Sequence, residues 1–312
     1  MENSSSLNVT TYNITFDGFV DLHKFRYLYF VLTLTAYILI IFSNVTIVYL
    51  ISTRQSLHEP MYVFIAALLL NSVLFSTNIF PKMLIDFLSD KPVISYSACL
   101  FQFFFIYSLA GSEFLLLAAM AYDRYVSICK PLQYPVIMRK STVTTCLCSA
   151  WLLPACFIAV LVTLSANMRL CKFNLNGILC NNSIYSLHCV SSETHSIFGA
   201  VALIMSALFP LLFILFTYTR ILIISYHSSK EVRRKAGQTC VPHLLVLISF
   251  FCLCAFDVII VRVGSSFPKV VRLTVMVQSF LYHPLFNPII YGVKMTEISK
   301  HLKNFFCQTK VI

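Results

Sequence analysis

The stretch Tyr27–Thr53 reads YLYFVLTLTAYILIIFSNVTIVYLIST and contains no Asp, Glu, Lys or Arg in 27 residues. An α-helix needs about 20 apolar residues to cross roughly 30 Å of hydrocarbon, so this stretch predicts a membrane-spanning helix. Six further stretches of 21–28 residues are equally free of charge: Pro60–Pro81, Pro92–Ser112, Ser141–Met168, Thr194–Thr219, Ala236–Phe256 and Leu273–Val293. We therefore predict an all-α membrane protein built as a seven-transmembrane helix bundle.

The composition supports this fold class. Hydrophobic residues make up 58% of the 312 residues and charged residues 11%, and the mean hydropathy is +0.81. Soluble domains are typically about 45–50% apolar and about 25% charged, so a soluble enzyme is excluded. The apolar stretches lack the alternation of a strand, which disfavours a membrane β-barrel.

The distribution of charge predicts the orientation of the bundle. With the N-terminus outside, the inner loops and tail carry 14 basic and four acidic residues, which accounts for +10 of the net charge of +11. This asymmetry is what the positive-inside rule requires, and it makes a nucleic-acid partner unnecessary. Lys24 and Arg26, just outside the first helix, locally favour the opposite orientation.

Glycosylation sequons agree with an external N-terminus. Asn3, Asn8 and Asn13 each begin an Asn-X-Ser/Thr sequence, and Asn181 begins another in the long loop after the fourth helix. The first residues lack the basic and apolar segments of a cleavable signal peptide, so the first helix is expected to direct insertion.

Four of the 12 cysteines fall on the outer, oxidising side. Cys99 precedes the third helix core, and Cys171, Cys180 and Cys189 lie in the long outer loop. Four cysteines allow three pairings, and the spacing does not choose among them.

Two motifs identify the class of protein. The segment 120–134 reads MAYDRYVSICKPLQY, and Asn287–Tyr291 reads NPIIY at the end of the seventh helix. Pro60-Met61-Tyr62 begins the second helix, and residues 235–244, KAGQTCVPHL, begin the sixth. Together, in order and over nearly the whole chain, these resemble the olfactory receptor family of rhodopsin-like G-protein-coupled receptors.

The resemblance implies a function and a location. The chain would be a single receptor domain in the plasma membrane, with an extracellular tail (1–26), a helix bundle (27–293) and a cytoplasmic tail (294–312). It would bind a small odorant from outside and activate a heterotrimeric G protein of the stimulatory, olfactory type, which raises cyclic AMP. It would not be an enzyme.

The resemblance also assigns roles to residues. The family's inner switch, which contacts the G protein on activation, corresponds to Asp123, Arg124, Tyr125, Tyr218, Asn287, Pro288 and Tyr291. Cys99–Cys180 would tie the third helix to the outer loop, and Cys171–Cys189 would form a second bridge within that loop.

Glu113 is the acid nearest the middle of the third helix. In the family its position belongs to a sodium or proton site beside an aspartate of the second helix, but here Ser72 stands in that place. The remaining lining would include Asn44, His283 and Asn287. Two alternatives stay open: these residues bind sodium, or Glu113 is protonated and hydrogen-bonded. We expect no other cofactor.

Positions matching the family's odorant pocket lie on the third, fifth, sixth and seventh helices. Such pockets are mostly apolar, with a few polar groups that orient the ligand. The expected lining is Ile106, Tyr107, Ala110, Gly111, Ala202, Ser206, Phe251, Cys254, Ala255, Val258, Val277 and Phe280. Tyr107 and Ser206 would supply the polar groups.

The segment Lys294–Phe306 places Ile298, Leu302 and Phe305 at helical spacing, opposite lysines. This pattern predicts a short amphipathic helix on the inner leaflet, with Cys307 as a candidate for palmitoylation. Membrane lipids are therefore expected partners.

Two alternative functions stay open from the sequence. The first is a non-olfactory chemoreceptor of the same fold. The second is a transporter or channel, which is disfavoured because the sequence shows no internal repeats, broken helices or charged pore lining.

Overall fold

The computed structural model describes residues 12–20, 22–190, 192–226, 237, 240–241, 244–255 and 268–308. Within them, the predicted helices are present: α1 (Leu22–Thr53), α2 (Pro60–Leu88), α3 (Tyr96–Cys129), α4 (Lys140–Ala166), α5 (Glu193–Tyr226), the described part of α6 (Leu244–Ala255), α7 (Lys269–Lys294) and the amphipathic α8 (Thr296–Gln308). By length and composition, α1 to α5 can each cross a membrane. The fold is a seven-helix bundle followed by a short helix.

Helix α3 is much longer than its charge-free stretch. The stretch ends at Ser112, but α3 continues for about five more turns, through Glu113 to Cys129. The charge-free stretch is shorter than the helix because it ends just before Glu113, an acid within the span. This side chain is buried, with 5% of its surface exposed. Intramembrane acids of this kind usually face the bundle interior, and Glu113 does so.

Helix α3 also forms the centre of the bundle. It packs against α2, α4 and α5, whereas α1 packs against α2, α7 and α8. The buried side chains form one large cluster in the inner half and two smaller clusters in the outer half. The inner cluster surrounds the end of α3 that carries the Asp-Arg motif, so this end is held on several sides.

A small β-sheet covers part of the outer face, which the sequence analysis did not predict. Strand β1 (Asn13–Phe16) lies between β2 (Val93–Ser95), with which it pairs antiparallel, and β3 (Asn174–Leu175), with which it pairs parallel. Alternate residues of β1 point inward: Ile14 and Phe16 are buried. The N-terminal tail is thus built into the outer loops.

Helix α8 packs part of its apolar face against the bundle. Ile298 is fully buried and Met295 nearly so, and both belong to the inner core cluster. Leu302 packs beside Gly292 of α7. A Cβ atom added to Gly292 would lie 3.2 Å from Cδ1 of Leu302. The helix is amphipathic as predicted, and these residues dock on the bundle; its contact with the inner leaflet stays a prediction.

Candidate functional site

The inner end of α3 carries a carboxylate held by two partners. Asp123 is fully buried, and its Oδ2 atom accepts hydrogen bonds from Nε and Nη2 of Arg124, the Nε contact being 3.0 Å. Its Oδ1 atom accepts a 2.8 Å hydrogen bond from the hydroxyl of Tyr134. A guanidinium in a partly desolvated position needs such a partner, so this geometry ties Arg124 to its own helix.

Tyr134 was part of the motif in the sequence but was given no role there. It begins a one-turn helix, Tyr134–Ile137, in the loop between α3 and α4. Burial, followed by the charge of Asp123, raises the pKa of Tyr134 above its ordinary value. The phenol therefore stays protonated and remains a donor to Asp123.

The other expected switch residues surround this end of the bundle. Tyr218 of α5 and Tyr291 of α7 are buried in the inner core cluster, and Tyr125 is half-buried beside it. The hydroxyl of Tyr291 has no hydrogen-bond partner within the described residues. A buried, unpaired hydroxyl is costly, which favours an arrangement in which it finds a partner. Pro288 is buried within α7.

A polar cluster lies in the middle of the bundle around Glu113. Asn287 directs its Nδ2 atom to Glu113 Oε1 at 3.2 Å and to Ser72 Oγ at 3.3 Å. His283 Nδ1 lies 3.2 Å from Glu113 Oε1, but without the alignment of a hydrogen bond. The structure therefore brings together α2, α3 and α7 at the expected site.

Asn44 is the remaining residue expected in that cluster. Its Nδ2 atom donates to the carbonyl oxygens of Ile40 and Pro284, each at 2.8 Å. Its Oδ1 atom is buried without a hydrogen-bond partner among the described residues. This amide oxygen of α1 is therefore available to a cation or a water molecule.

Four expected pocket residues lie together in the outer half of the bundle. Ile106 and Phe280 are buried in one apolar cluster, and Tyr107 and Val277 pack against it. Two residues that the sequence analysis missed, Ile178 and Leu179 of the outer loop, are 1% exposed and complete this cluster. In the sequence, only their apolar character indicated a role, because the conformation of the loop decides whether such side chains point inward.

The phenol of Tyr107 connects α3 to the same outer loop. Its oxygen accepts a 2.9 Å hydrogen bond from the backbone N–H of Asn182. A ligand that displaces Tyr107 would therefore also disturb the loop.

The structure places other expected pocket residues elsewhere. Ala202 belongs to the other apolar cluster of the outer half. Ala110 and Cys254 pack against the inner cluster. A Cβ atom on Gly111 would lie 2.8 Å from Cβ of Pro154 and 3.1 Å from Cβ of Ser206. Gly111 and Ser206 therefore serve the packing of α3 against α4 and α5. Ala255 is half-buried, and Val258 lies outside the described residues.

The structure distinguishes Phe251, the expected pocket residue of α6, from its neighbour Phe250. Phe251 is 44% exposed, whereas Phe250 is 6% exposed and belongs to the inner core cluster. Successive residues of an α-helix differ by about 100° in direction, so only one of the two can face the interior. The ring of Phe250 lies 4.5 Å from that of Phe114 and 4.4 Å from that of His283.

Two disulfides hold the outer loop. Cys99 pairs with Cys180, with Cα atoms 5.3 Å apart, and Cys171 pairs with Cys189, at 4.8 Å. Beside the first bridge, the backbone N–H of Cys180 donates to Gln102 Oε1 at 3.0 Å. The loop is thereby fixed directly above α3.

A polar network at the outer ends of three helices was not anticipated. The hydroxyl of Tyr96 donates to the carbonyl of Ser165 at 2.8 Å and lies 3.1 Å from His188 Nε2. Ser165 Oγ lies 3.2 Å from His195 Nε2. Burial, and then the nearby His195, lowers the pKa of His188 below its ordinary value of 6.5. The network therefore joins α3, α4, α5 and the loop with His188 neutral.

The sequons differ in accessibility. Asn13 is exposed on β1, and Asn3 and Asn8 lie outside the described residues. Asn181 is 2% exposed, and its side chain accepts hydrogen bonds from Ser183. The burial of Asn181 therefore leaves no room for a glycan at the expected fourth sequon.

The seven helices and the Asp-Arg pair at the inner end of α3 define a seven-helix membrane receptor. The structure is similar to a crystal structure of squid rhodopsin, with a TM-score of 0.72 and 18% identity over 90% of this chain and 80% of that one. This similarity establishes the fold.

The family follows from sequence comparison. Residues 33–309 match the family described as "Olfactory receptor". Human "Olfactory receptor 11A1" is 33% identical over 98% of both chains, and human "Olfactory receptor 6K3" is 32% identical over 100% of this chain and 94% of its own. The chain belongs to the olfactory receptor family. It is a multi-pass plasma-membrane receptor for a small-molecule odorant, acts through a G protein and is not an enzyme.

Proposed function

We propose that this receptor detects a small, mainly apolar odorant between α3 and α7, beneath the long outer loop that joins α4 to α5. The cluster of Ile106, Val277, Phe280, Ile178 and Leu179 supports this proposal, because three separate segments place apolar side chains at one point. The phenol of Tyr107 would orient a polar group of the odorant. The transducer would be a G protein of the stimulatory, olfactory type, and its product would be cyclic AMP.

The signal would reach the inner face as a shift between two helix arrangements. In the resting arrangement Arg124 is bound by Asp123, which Tyr134 also holds. An odorant that binds the other arrangement more tightly shifts the population toward it. Release of Arg124 would then make the guanidinium available to the G protein.

Cyclic AMP in cells that express the chain with an olfactory-type G protein tests this function. We expect a dose-dependent rise with one or more neutral volatiles, which Arg124→Ala abolishes at equal surface expression. Arg54→Ala is the matched control, since it removes an exposed arginine from the same side of the membrane. A response that survives Arg124→Ala would contradict the switch.

The position of the pocket has its own test. Val277→Phe should raise the effective odorant concentration by about tenfold or more, since overpacking costs about 1–3 kcal/mol. Val31→Phe adds the same volume at a site on α1 that is 57% exposed, and should leave the response unchanged. Equal effects of the two variants would exclude this pocket.

We also propose that the cluster around Glu113 holds sodium in the resting receptor. The donor set fits in part: the Glu113 carboxylate, Ser72 Oγ and the unpaired Oδ1 atom of Asn44 are buried oxygens, and Asn287 completes the cluster. When bound, sodium would supply the positive charge that a buried carboxylate needs.

Thermal melting of the purified receptor in sodium or choline chloride tests the ion. We expect sodium to raise Tm, and Glu113→Gln to remove that dependence. If Tm follows pH and not sodium, a proton occupies the place of the ion.

A further inference from the structure

The N-terminal tail runs along the long outer loop beside the proposed odorant site. Strand β1 pairs on one edge with β2 and on the other with β3 of that loop. The pairing continues past the strand: the backbone N–H of Asp17 donates to the carbonyl of Leu175 at 2.9 Å, and that of Gly18 to the carbonyl of Gly177 at 3.2 Å. The tail and the loop therefore stay together as far as Gly18.

Two glycines bring the tail directly against that loop. A Cβ atom on Gly18 would lie 2.5 Å from the carbonyl carbon of Gly177 and 2.8 Å from its Cα atom, so the contact needs a residue without a side chain. Gly177 directly precedes Ile178 and Leu179, the loop residues that complete the apolar cluster of the odorant site. The tail thus lies against the part of the loop that contributes to the site.

An ion pair of α2 anchors β1 on the bundle. Lys82 pairs with Asp86, one turn later in the helix, and Asp86 is buried. The Nζ atom of Lys82 also lies 5.6 Å from the centre of the Phe16 ring, which is buried too. An ammonium group over an aromatic face contributes about 0.5–1 kcal/mol or more. The tail is therefore held by α2 as well as by the loop, which fixes the residues that follow Phe16.

Phe19 connects the tail to the apolar cluster of the odorant site. Its half-buried side chain packs against this cluster and against the other apolar cluster of the outer half. Its ring meets the ring of Phe87 edge-on, with centroids 5.7 Å apart. Phe87 is a buried member of the same cluster as Ile106 and Phe280. The tail therefore adds an aromatic side chain to the cluster in which the odorant is proposed to bind.

We propose that Phe19 forms the outer wall of the odorant site and limits the length of the odorant. The inference rests on the proposed function, because it places Phe19 at the edge of that same cluster. An odorant that is too long meets the Phe19 ring, whose backbone β1 and Gly18 hold in place. In an apolar pocket, one methylene group changes binding by about 1–3 kcal/mol, so a single wall residue is enough to select for length.

Dose–response curves of cyclic AMP for a homologous series test this limit. The probes are the neutral volatile that activates the unaltered receptor and its homologues with one, two and three methylenes more or fewer. We expect Phe19→Ala to shift the preferred length upward, and to improve the longer homologues about tenfold or more relative to the shorter ones. Phe19→Trp should shift the preferred length downward. A purely structural role for Phe19 would instead weaken the responses to all homologues equally.

Phe173→Ala is the matched control. It removes a phenylalanine from the long outer loop beside β1, where the ring is 40% exposed and stacks on Tyr12 of the tail, with centroids 5.7 Å apart. Because Phe173 lies outside the apolar cluster, its removal should leave the preferred length unchanged. Equal changes in Phe19→Ala and Phe173→Ala would overturn the proposal.

Thiol labelling tests the position of Phe19 without an odorant. Met83 is 2% exposed and lies one turn deeper than Phe87 on α2, so Met83→Cys reports whether the cluster is open to the outside. A membrane-impermeant methanethiosulfonate is applied to intact cells, and the receptor without Met83→Cys gives the background. We expect Phe19→Ala to accelerate labelling about tenfold or more, because loss of a packed ring favours local opening. Phe173→Ala should not change the rate.

The outcomes separate this inference from the proposed function. If Val277→Phe impairs the response but Phe19→Ala keeps the preferred length, the odorant site stands and the role of Phe19 is overturned. If Val277→Phe has no effect, or no neutral volatile activates the receptor, the proposed function fails, and the limit on odorant length fails with it. Unchanged labelling in Phe19→Ala would overturn the position of Phe19 as the outer wall in either case.

Discussion

The hydroxyl of Tyr134 donates a 2.8 Å hydrogen bond to Oδ1 of Asp123, the carboxylate that binds Arg124 through its other oxygen. Tyr134 lies in the loop between α3 and α4, eleven residues after Asp123. The inner loop thus takes part in holding the arginine. The loop between α3 and α4 is therefore in direct contact with the carboxylate that binds Arg124.

Tyr134→Phe is expected to increase signalling in the absence of odorant. A hydrogen bond to a charged group contributes about 1.5–3 kcal/mol, so its loss shifts the resting equilibrium roughly tenfold or more toward release of Arg124. Basal cyclic AMP at equal surface expression measures this. Tyr49→Phe, at a position 55% exposed on α1, is the control and should have no effect. Unchanged basal activity in Tyr134→Phe would show that the bond does not restrain the switch.

The helices were predictable because hydrocarbon demands long apolar segments, and the sequence supplies seven of them. The sheet of β1, β2 and β3 was not predictable. Its strands have two to four residues, and they pair across segments that are distant in the chain. Nothing in a local pattern shows that Thr15 will lie beside Asn174.

The site was predictable where a motif fixed the residue type, as at Asp123 and Glu113. It was less predictable where side-chain direction decides the role. Phe250 and Phe251 are chemically identical, and only the rotation of α6 distinguishes them. Likewise, Gly111 lies at a pocket position by count, but the close approach of Pro154 makes it a packing residue.

Gly111→Ala tests that packing role. An added Cβ would lie 2.8 Å from Cβ of Pro154, so α3 and α4 must separate, at a cost of about 1–3 kcal/mol. Gly199→Ala is the matched control in α5, because a Cβ there meets nothing within 4 Å. Removing a helical glycine should leave that variant equal or more stable by about 0.5–1 kcal/mol. Thermal melting in detergent compares the two, and equal Tm values would exclude a packing role for Gly111.

The loop disulfide is expected to support stability on the outer side. Cys171 and Cys189 are separated by 18 residues, and closing a loop of that size contributes about 3 kcal/mol. Cys171→Ser/Cys189→Ser should lower Tm and surface expression. Cys148→Ser/Cys156→Ser removes two exposed, unpaired cysteines of α4 and should change neither. If both pairs behave alike, the loop does not depend on its bridge.

Acid should loosen the outer loop through His188. Its pKa is lowered by burial and by His195, so the folded loop binds the proton less readily than the unfolded chain. Neutral His188 therefore contributes its full share to the stability of the folded loop above pH 6.5, and this share decreases as the pH falls below that value. The difference in Tm between pH 7.5 and pH 5.0 should shrink in His188→Gln and persist in His23→Gln, whose side chain is exposed. An undiminished difference in His188→Gln would assign the acid response to another group.

The two phenylalanines of α6 offer the sharpest test of side-chain direction. Phe250 packs on Phe114 and His283, so Phe250→Ala should cost about 3–5 kcal/mol and disturb the contact between α3, α6 and α7. Phe251→Ala removes a ring that is 44% exposed and should cost far less. Thermal melting and odorant dose–response curves measure both variants at matched expression. If Phe251→Ala alone shifted the dose–response curve, α6 would be rotated by about one residue in the signalling receptor, and Phe251 would line the pocket after all.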